Sequence, residues 1–213
     1  MALLFKHPIN SNTLVGIWDI KESLSHMLDQ LSLNPDEIIR LDKFGNENKK
    51  LQFLASRILL KHMTDKSFSN IGYNEYGKPF IINSKKKVSI SHSYNYVAMI
   101  INEKDETGID IELIKPKIKR IAEKFLCTDE LENVGAENEI EKLYIYWGAK
   151  ESLYKLYGNK NLLFKENLFV EPFNYDAESG NIKATISIEN YRRIFSLHYQ
   201  KVDKYMLVYV LNN

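Results

Sequence analysis

The stretch Thr107 to Ile114, "TGIDIELI", constrains this chain more than any other, because it sets two carboxylates, Asp110 and Glu112, inside a run with the character of a strand. Side chains on a strand alternate faces, so Asp110 and Glu112 share one face about 7 Å apart while Ile109, Ile111 and Leu113 take the other. The apolar face is ordinary core. The acidic face needs a reason, since like charges at that spacing repel, and repel more where water is excluded. An edge strand with one solvated side accounts for the pattern. A sharper reading is a divalent cation held by both carboxylates, because a hard cation takes oxygen ligands and removes their repulsion.

The rest of the chain narrows what surrounds this strand. With 213 residues there is enough chain for one large domain or two small ones and for a real core. A balance of 29 basic against 28 acidic residues gives no overall nucleic-acid or membrane footprint. A single cysteine, Cys127, excludes an internal disulfide and any multi-cysteine metal cluster. The opening "MALLFKHPIN" has an apolar run too short for a signal peptide, and no segment has the length of a membrane span, so a cytoplasmic location is expected. No glycine-rich phosphate loop, no zinc-spaced histidine pair on a helix and no Gly-x-Ser-x-Gly elbow occurs. Phosphate chemistry here would therefore use side chains and metal.

Periodicity gives apolar strand-like material around Leu14 to Ile20, a helical stretch from Lys21 to Leu31, and a helix through "NENKKLQFLASRILLKHM", where Leu51, Leu54, Ile58 and Met63 recur at helical spacing. The "YGKP" of Tyr76 to Pro79 marks a loop, and "VSISHS" and "YVAMII" read as strands joined around Tyr94 and Asn95. After the acidic strand, "KPKIKRIAEKFL" reads as a helix starting at Pro116, and a longer helix runs from about Ile140 to Tyr157, closed by Gly158. Strands "LFVEPF", "NIKATISI", "RIFSLHY" and "YMLVYVL" complete the chain, with "ESGN" as a turn between the first two. Each half thus reads as helices followed by paired strands.

Two further groups carry chemistry. In "YWGAKESLYKLYG", Trp147, Glu151 and Lys155 fall four residues apart and stack along one helical face, a spacing that also suits a simple solvated ion pair. In "SISHS", Ser91, His92 and Ser93 leave a strand, where they serve equally as turn formers or as donors to a phosphate.

Arg57 within "FLASRILL", then "YGKP", "SISHS", "GIDIE" and "WGAKESLYK", in this order, resemble the surfactin-type 4′-phosphopantetheinyl transferases. The resemblance implies an α+β monomer of two similar halves in pseudo-twofold arrangement, each with helices on a mainly antiparallel sheet. The halves would be residues 1–104 and 105–213, with the active site in the cleft between them. It implies transfer of the phosphopantetheine arm of coenzyme A to a serine of an apo acyl or peptidyl carrier protein, leaving 3′,5′-ADP. It also implies that Asp110, Glu112 and Glu151 hold Mg²⁺, with Mn²⁺ satisfying the same ligands. Lys155, His92 and Ser91 would contact phosphates, Arg57 the 3′-phosphate, and Lys78 and Pro79 would border the nucleotide. Glu151, or a metal-bound water activated by Asp110, would take the serine proton.

Lys49 and Lys50 are further phosphate-contact candidates, and Glu130 in "CTDEL" matches a recurring acidic position with no assigned role. Gly148 stands where the family often has serine or threonine. Lys117 and Arg120, amid the basic run after Lys115, form a candidate surface for an acidic carrier protein. A magnesium-dependent phosphohydrolase would use the same carboxylates with water as acceptor, and a non-catalytic nucleotide-binding module would retain them as structure.

Overall fold

The computed structural model describes residues 3–64, 70–159, 161–189 and 191–211, and the chain forms two compact units, Met1–Glu106 and Thr107–Asn213. The fold is α+β, and every strand pairing among the described residues is antiparallel. No helix among the described residues is long and apolar enough to cross a membrane.

In the first unit, β1 (Leu3–Asn10) and β2 (Thr13–Asp19) form a hairpin, followed by α1 (Leu24–Asp29), α2 (Pro35–Asp42) and α3 (Glu47–Met63). Two short strands, β3 (Ile71–Tyr73) and β4 (Pro79–Ile81), pair as a ribbon, and β5 (Lys87–Ser93) and β6 (Tyr96–Asn102) complete a sheet of order β1-β2-β6-β5. The two-residue link at Tyr94 and Asn95 closes the β5–β6 hairpin, with Tyr94 at φ 51. From Gln52 to Leu60 α3 is buried nearly all round because it lies between this sheet and α1, and Leu54, Ala55, Leu59 and Leu60 are fully buried.

The second unit begins with β7 (Ile109–Leu113) and a 3₁₀ turn (Pro116–Ile121), then α4 (Ala122–Phe125), α5 (Thr128–Val134), α6 (Glu139–Tyr157) and α7 (Phe164–Asn167). β8 (Leu168–Val170), β9 (Ser179–Ile188), β10 (Tyr191–Val202) and β11 (Tyr205–Leu211) join β7 in a sheet of order β7-β11-β10-β9-β8. α6 packs across β11 and β7 and ends at Gly158, which adopts φ 70 at the C-cap.

Three sequence expectations are corrected here. The basic stretch after Lys115 is not one helix: a 3₁₀ turn passes into the single-turn α4, and Ile118, Ala122 and Phe125 are buried from these two short pieces. The "ESGN" segment is no turn, because Ser179 already pairs with Gln200 at the start of β9. The amino-terminal residues, read only as a short apolar run, form β1, whose partner β2 supplies the ladder that its own mixed composition does not signal.

The contact that sets α6 against β7 needs a residue without a side chain. A Cβ on Gly108 would overlap the carbonyl oxygen of Ser152 in the middle of α6, and there is no room to yield because the obstacle is backbone. Gly148, in α6 itself, clears the neighbouring strand β11: a Cβ there would lie 2.6 Å from Cγ2 of Val208. Gly108→Ala is expected to force α6 away from the strand and cost roughly 1–3 kcal/mol or more. Gly45→Ala, which meets nothing within 4 Å, serves as the control, and urea unfolding of both variants checks the difference.

Candidate active site

Asp110 and Glu112 project from β7 on the side of their cross-strand partners Val208 and Met206, which belong to the core under α6. β7 is an edge strand, yet neither face of its first three residues is solvated: Ile109 and Ile111 are fully buried and Asp110 is only 3% exposed. At Asp110 the acidic face therefore looks into the layer between sheet and helix, where solvation does not explain a carboxylate, while Glu112 is half-buried.

α6 meets that face with Glu151 and Lys155, one turn apart. The Lys155 ammonium lies 2.8 Å from Oδ1 of Asp110 and donates to the carbonyl of Ile109 at 3.0 Å. Burial pushes the Glu151 carboxyl up to about 7; Lys155 draws it down, while the charges of Asp110 and Glu112 push it further up. The four side chains thus form one electrostatic group. Among the described residues no three His, Cys, Asp or Glu side chains converge at metal-ligand distance, so the expected ligand set is near but not closed. The donors nevertheless fit a hard divalent cation: all are carboxylate oxygens, and an ammonium already occupies the cationic position on Asp110.

The other candidates lie in the first unit. In β5, Ser91 is buried and His92 exposed, on opposite faces of the strand. Lys78 follows a loop ordered by Asn74, whose Oδ1 accepts from the backbone of Tyr76 and Lys78 at 3.0 and 2.8 Å, and Pro79 opens β4 beside β5. The Lys78 ammonium pairs with Glu106, which Lys87 also contacts at 2.7 Å. Lys49 and Lys50 lie in the first turn of α3.

Arg57 is placed differently from a surface phosphate contact. Its side chain is 3% exposed, Nε pairs with Glu37 at 3.1 Å, Nη1 donates to Ser56 Oγ and the Phe53 carbonyl, and the guanidinium stacks on the Phe53 ring. Most of its fork is thus engaged within the unit. Nη2, buried without a hydrogen-bond partner, belongs to a residue lining a groove of about 660 Å³ with Arg40, Lys43 and Tyr73.

Sequence reasoning missed Lys150 and left Glu130 open. Both are fully buried and 2.6 Å apart, and the ammonium spends all three protons, on Glu130, the Phe125 carbonyl and the Phe164 carbonyl. Glu130 in turn accepts from the backbone of Cys127 and Val170. Burial lowers the pKa of Lys150, and Glu130 offsets part of that. The available signal was positional: Lys150 falls in the helical register of Leu143, Tyr146 and Leu153, a stripe that faces the core. The pair ties α6 to α4, α5, α7 and β8, and the next residue along is Glu151. Trp147 fixes the same flank, with its ring 5.1 Å from Phe125 and 5.6 Å from Phe164.

Lys150→Met alone is expected to cost about 3–5 kcal/mol, because Glu130 is left charged and buried, whereas Lys150→Met with Glu130→Leu should recover most of that loss in a urea-denaturation double-mutant cycle. Glu151 gives a pH signature. Its native pKa of about 7 lies above the ordinary 4.5, so the native state favours the protonated form. The contribution is fully present below pH 4.5 and is lost as pH rises to about 7. Glu151→Gln should flatten this part of the stability profile, measured by urea unfolding from pH 4 to 8.

Residues 106–210 match the family model of the 4′-phosphopantetheinyl transferase superfamily. The chain is 34% identical over 136 residues to the 4′-phosphopantetheinyl transferase Sfp of Bacillus subtilis, covering 59% of this chain and 60% of that protein. It is 29% identical over 116 residues to AcpT of Escherichia coli O157:H7 (52% and 59%) and 24% identical over 143 residues to HetI of Nostoc (60% of each). The chain thus spans about three fifths of the length of these relatives. The matched segment contains β7 and α6 with all four side chains of the carboxylate and lysine group, so it is the unit carrying this group that is similar to the 4′-phosphopantetheinyl transferase superfamily.

Proposed function

We propose that the chain transfers the 4′-phosphopantetheine arm of coenzyme A to a serine hydroxyl of an apo acyl or peptidyl carrier protein and releases 3′,5′-ADP. The observation that carries this reading is the group on β7 and α6, three carboxylates and a lysine drawn together where burial holds Glu151 at a pKa of about 7. A carboxyl group whose pKa is raised by burial is suited to take a proton from an incoming hydroxyl. The serine oxygen bonds to the β-phosphorus as the bond from that phosphorus to the bridging oxygen breaks. The electron pair leaves on 3′,5′-ADP, and the serine proton passes to Glu151.

Asp110, Glu112 and Glu151 would hold Mg²⁺ or Mn²⁺, which when bound supplies neutralisation of the pyrophosphate charge. Lys155 offers a mobile point charge to the same phosphates, and His92 and Ser91 are read as donors to phosphate oxygens. Lys78 and Pro79 border the nucleotide in this reading. Arg57 keeps only Nη2 for a 3′-phosphate. Lys117 and Arg120 are exposed on the 3₁₀ turn, where an acidic carrier protein could meet them, while Lys119 is paired with Glu139 at 2.6 Å.

The test is intact-mass analysis of apo carrier proteins after incubation with this protein, coenzyme A and Mg²⁺. A gain of one phosphopantetheine arm, abolished by EDTA and lost by at least about 100-fold in rate in Asp110→Ala, is the expected outcome. No gain on acyl or peptidyl carriers while coenzyme A is hydrolysed would overturn it in favour of a phosphohydrolase.

A further inference from the structure

We propose that the Lys155 ammonium is the resident counter-ion of Asp110, and that a divalent cation and this ammonium compete for the same carboxylate, so that cation binding releases Lys155. The proposal rests on the cation-binding part of the reading above and not on transfer itself.

The geometry supplies both halves of the exchange. Nζ lies 2.8 Å from Oδ1 of Asp110, an oxygen that a cation would also use, and a second anchor is the Ile109 carbonyl of the same strand. Lys155, and Asp110 and Glu112 from β7, all act on the carboxyl of Glu151 from α6. A divalent cation among them neutralises more charge and repels an adjacent ammonium.

The exit is also built in. Asp110 is nearly closed to solvent, with its side chain 4% exposed, but the Lys155 side chain is 25% exposed and lies in the last turn of α6. Its four-carbon stem lets the head swing to water without moving the helix, and the ammonium is well hydrated once there. An arginine in the same place would grip the carboxylate with a planar fork and give it up less readily. The released ammonium remains tethered one turn from Glu151, within reach of an anion that arrives with the cation.

The experiment uses Mn²⁺ alone, without coenzyme A or carrier protein, and reads free Mn²⁺ by electron paramagnetic resonance during titration. Relative to the wild-type protein, Lys155→Met should bind Mn²⁺ about fivefold more tightly, and Lys155→Arg more weakly. A second measurement uses the wild-type protein and needs no variant to fold: acetic anhydride labelling followed by peptide mass spectrometry. Mg²⁺ should raise acetylation of Lys155 at least about twofold at constant ionic strength and leave Lys117 unchanged. Equal or weaker Mn²⁺ binding by a folded Lys155→Met, or labelling of Lys155 unchanged or lowered by Mg²⁺, would overturn the exchange. Failure to bind either cation would overturn it as well. The carrier-protein mass assay is read separately, so cation exchange without transfer would count against the transferase reading alone.

Discussion

The fully buried ion pair between Lys150 and Glu130 is the interaction on which the second unit turns. An ammonium with no water around it is tolerable only if every proton is used, and here one carboxylate and two carbonyls use all three. Those acceptors come from α4, α5 and the start of α7, and Glu130 adds the backbone of β8 through Val170. Hydrophobic burial alone would allow α6 to rotate or slide with little penalty, since Leu, Ile and Tyr side chains pack in many ways. A hydrogen-bonded ion pair does not. It fixes the rotation of α6, and because Glu151 follows immediately in sequence, it fixes which way the carboxylate group faces.

The first unit applies the same device to a different helix. Glu37 caps α2 through its contact with the Asn34 backbone and pairs with Arg57 of α3, both side chains 3% exposed. The Arg57 stack on the Phe53 ring and the bonds to Ser56 and the Phe53 carbonyl satisfy most, but not all, of that buried charge, leaving Nη2. Sequence motif and packing therefore give Arg57 two claims. A buried guanidinium with most of its donors spent is first a tie between two helices, and whatever it does for a ligand is done with Nη2.

Much of this was legible in the sequence where local chemistry and tertiary context agree. The alternation in "GIDIE" gave β7, the Tyr94–Asn95 link gave the β5–β6 hairpin, and Gly158 marked the end of α6 because that position needs a left-handed backbone. The order of short motifs led to Asp110, Glu112, Glu151 and Lys155, which the fold does bring into one group. What escaped was set by partners distant in the chain. Glu130 and Lys150 are ordinary charged residues until the fold closes 20 residues of chain and removes the water. β1 has no pattern of its own and exists through β2. The helix expected after Pro116 has the right period but breaks, since Ile118 and Phe125 are buried from separate short turns.

Gly148 shows how such departures can be read. Judged by helix propensity it is a small loss, about 1 kcal/mol against alanine. In the structure it is the seat of Val208, whose Cγ2 fills the space a Cβ would need, and Val208 is the cross-strand neighbour of Asp110. The bare helix surface lets β11 approach α6, and β7, paired to β11, is carried in with it. Gly108 removes the other obstacle, at the Ser152 carbonyl, so the two glycines act on adjacent strands toward one end. The Ser152 hydroxyl then donates to the Val208 carbonyl at 3.0 Å, a bond that forms only once the backbones are this close. Close approach of strand and helix is what places carboxylates from both within electrostatic reach, and it is the same approach that raises the pKa of Glu151 by excluding water.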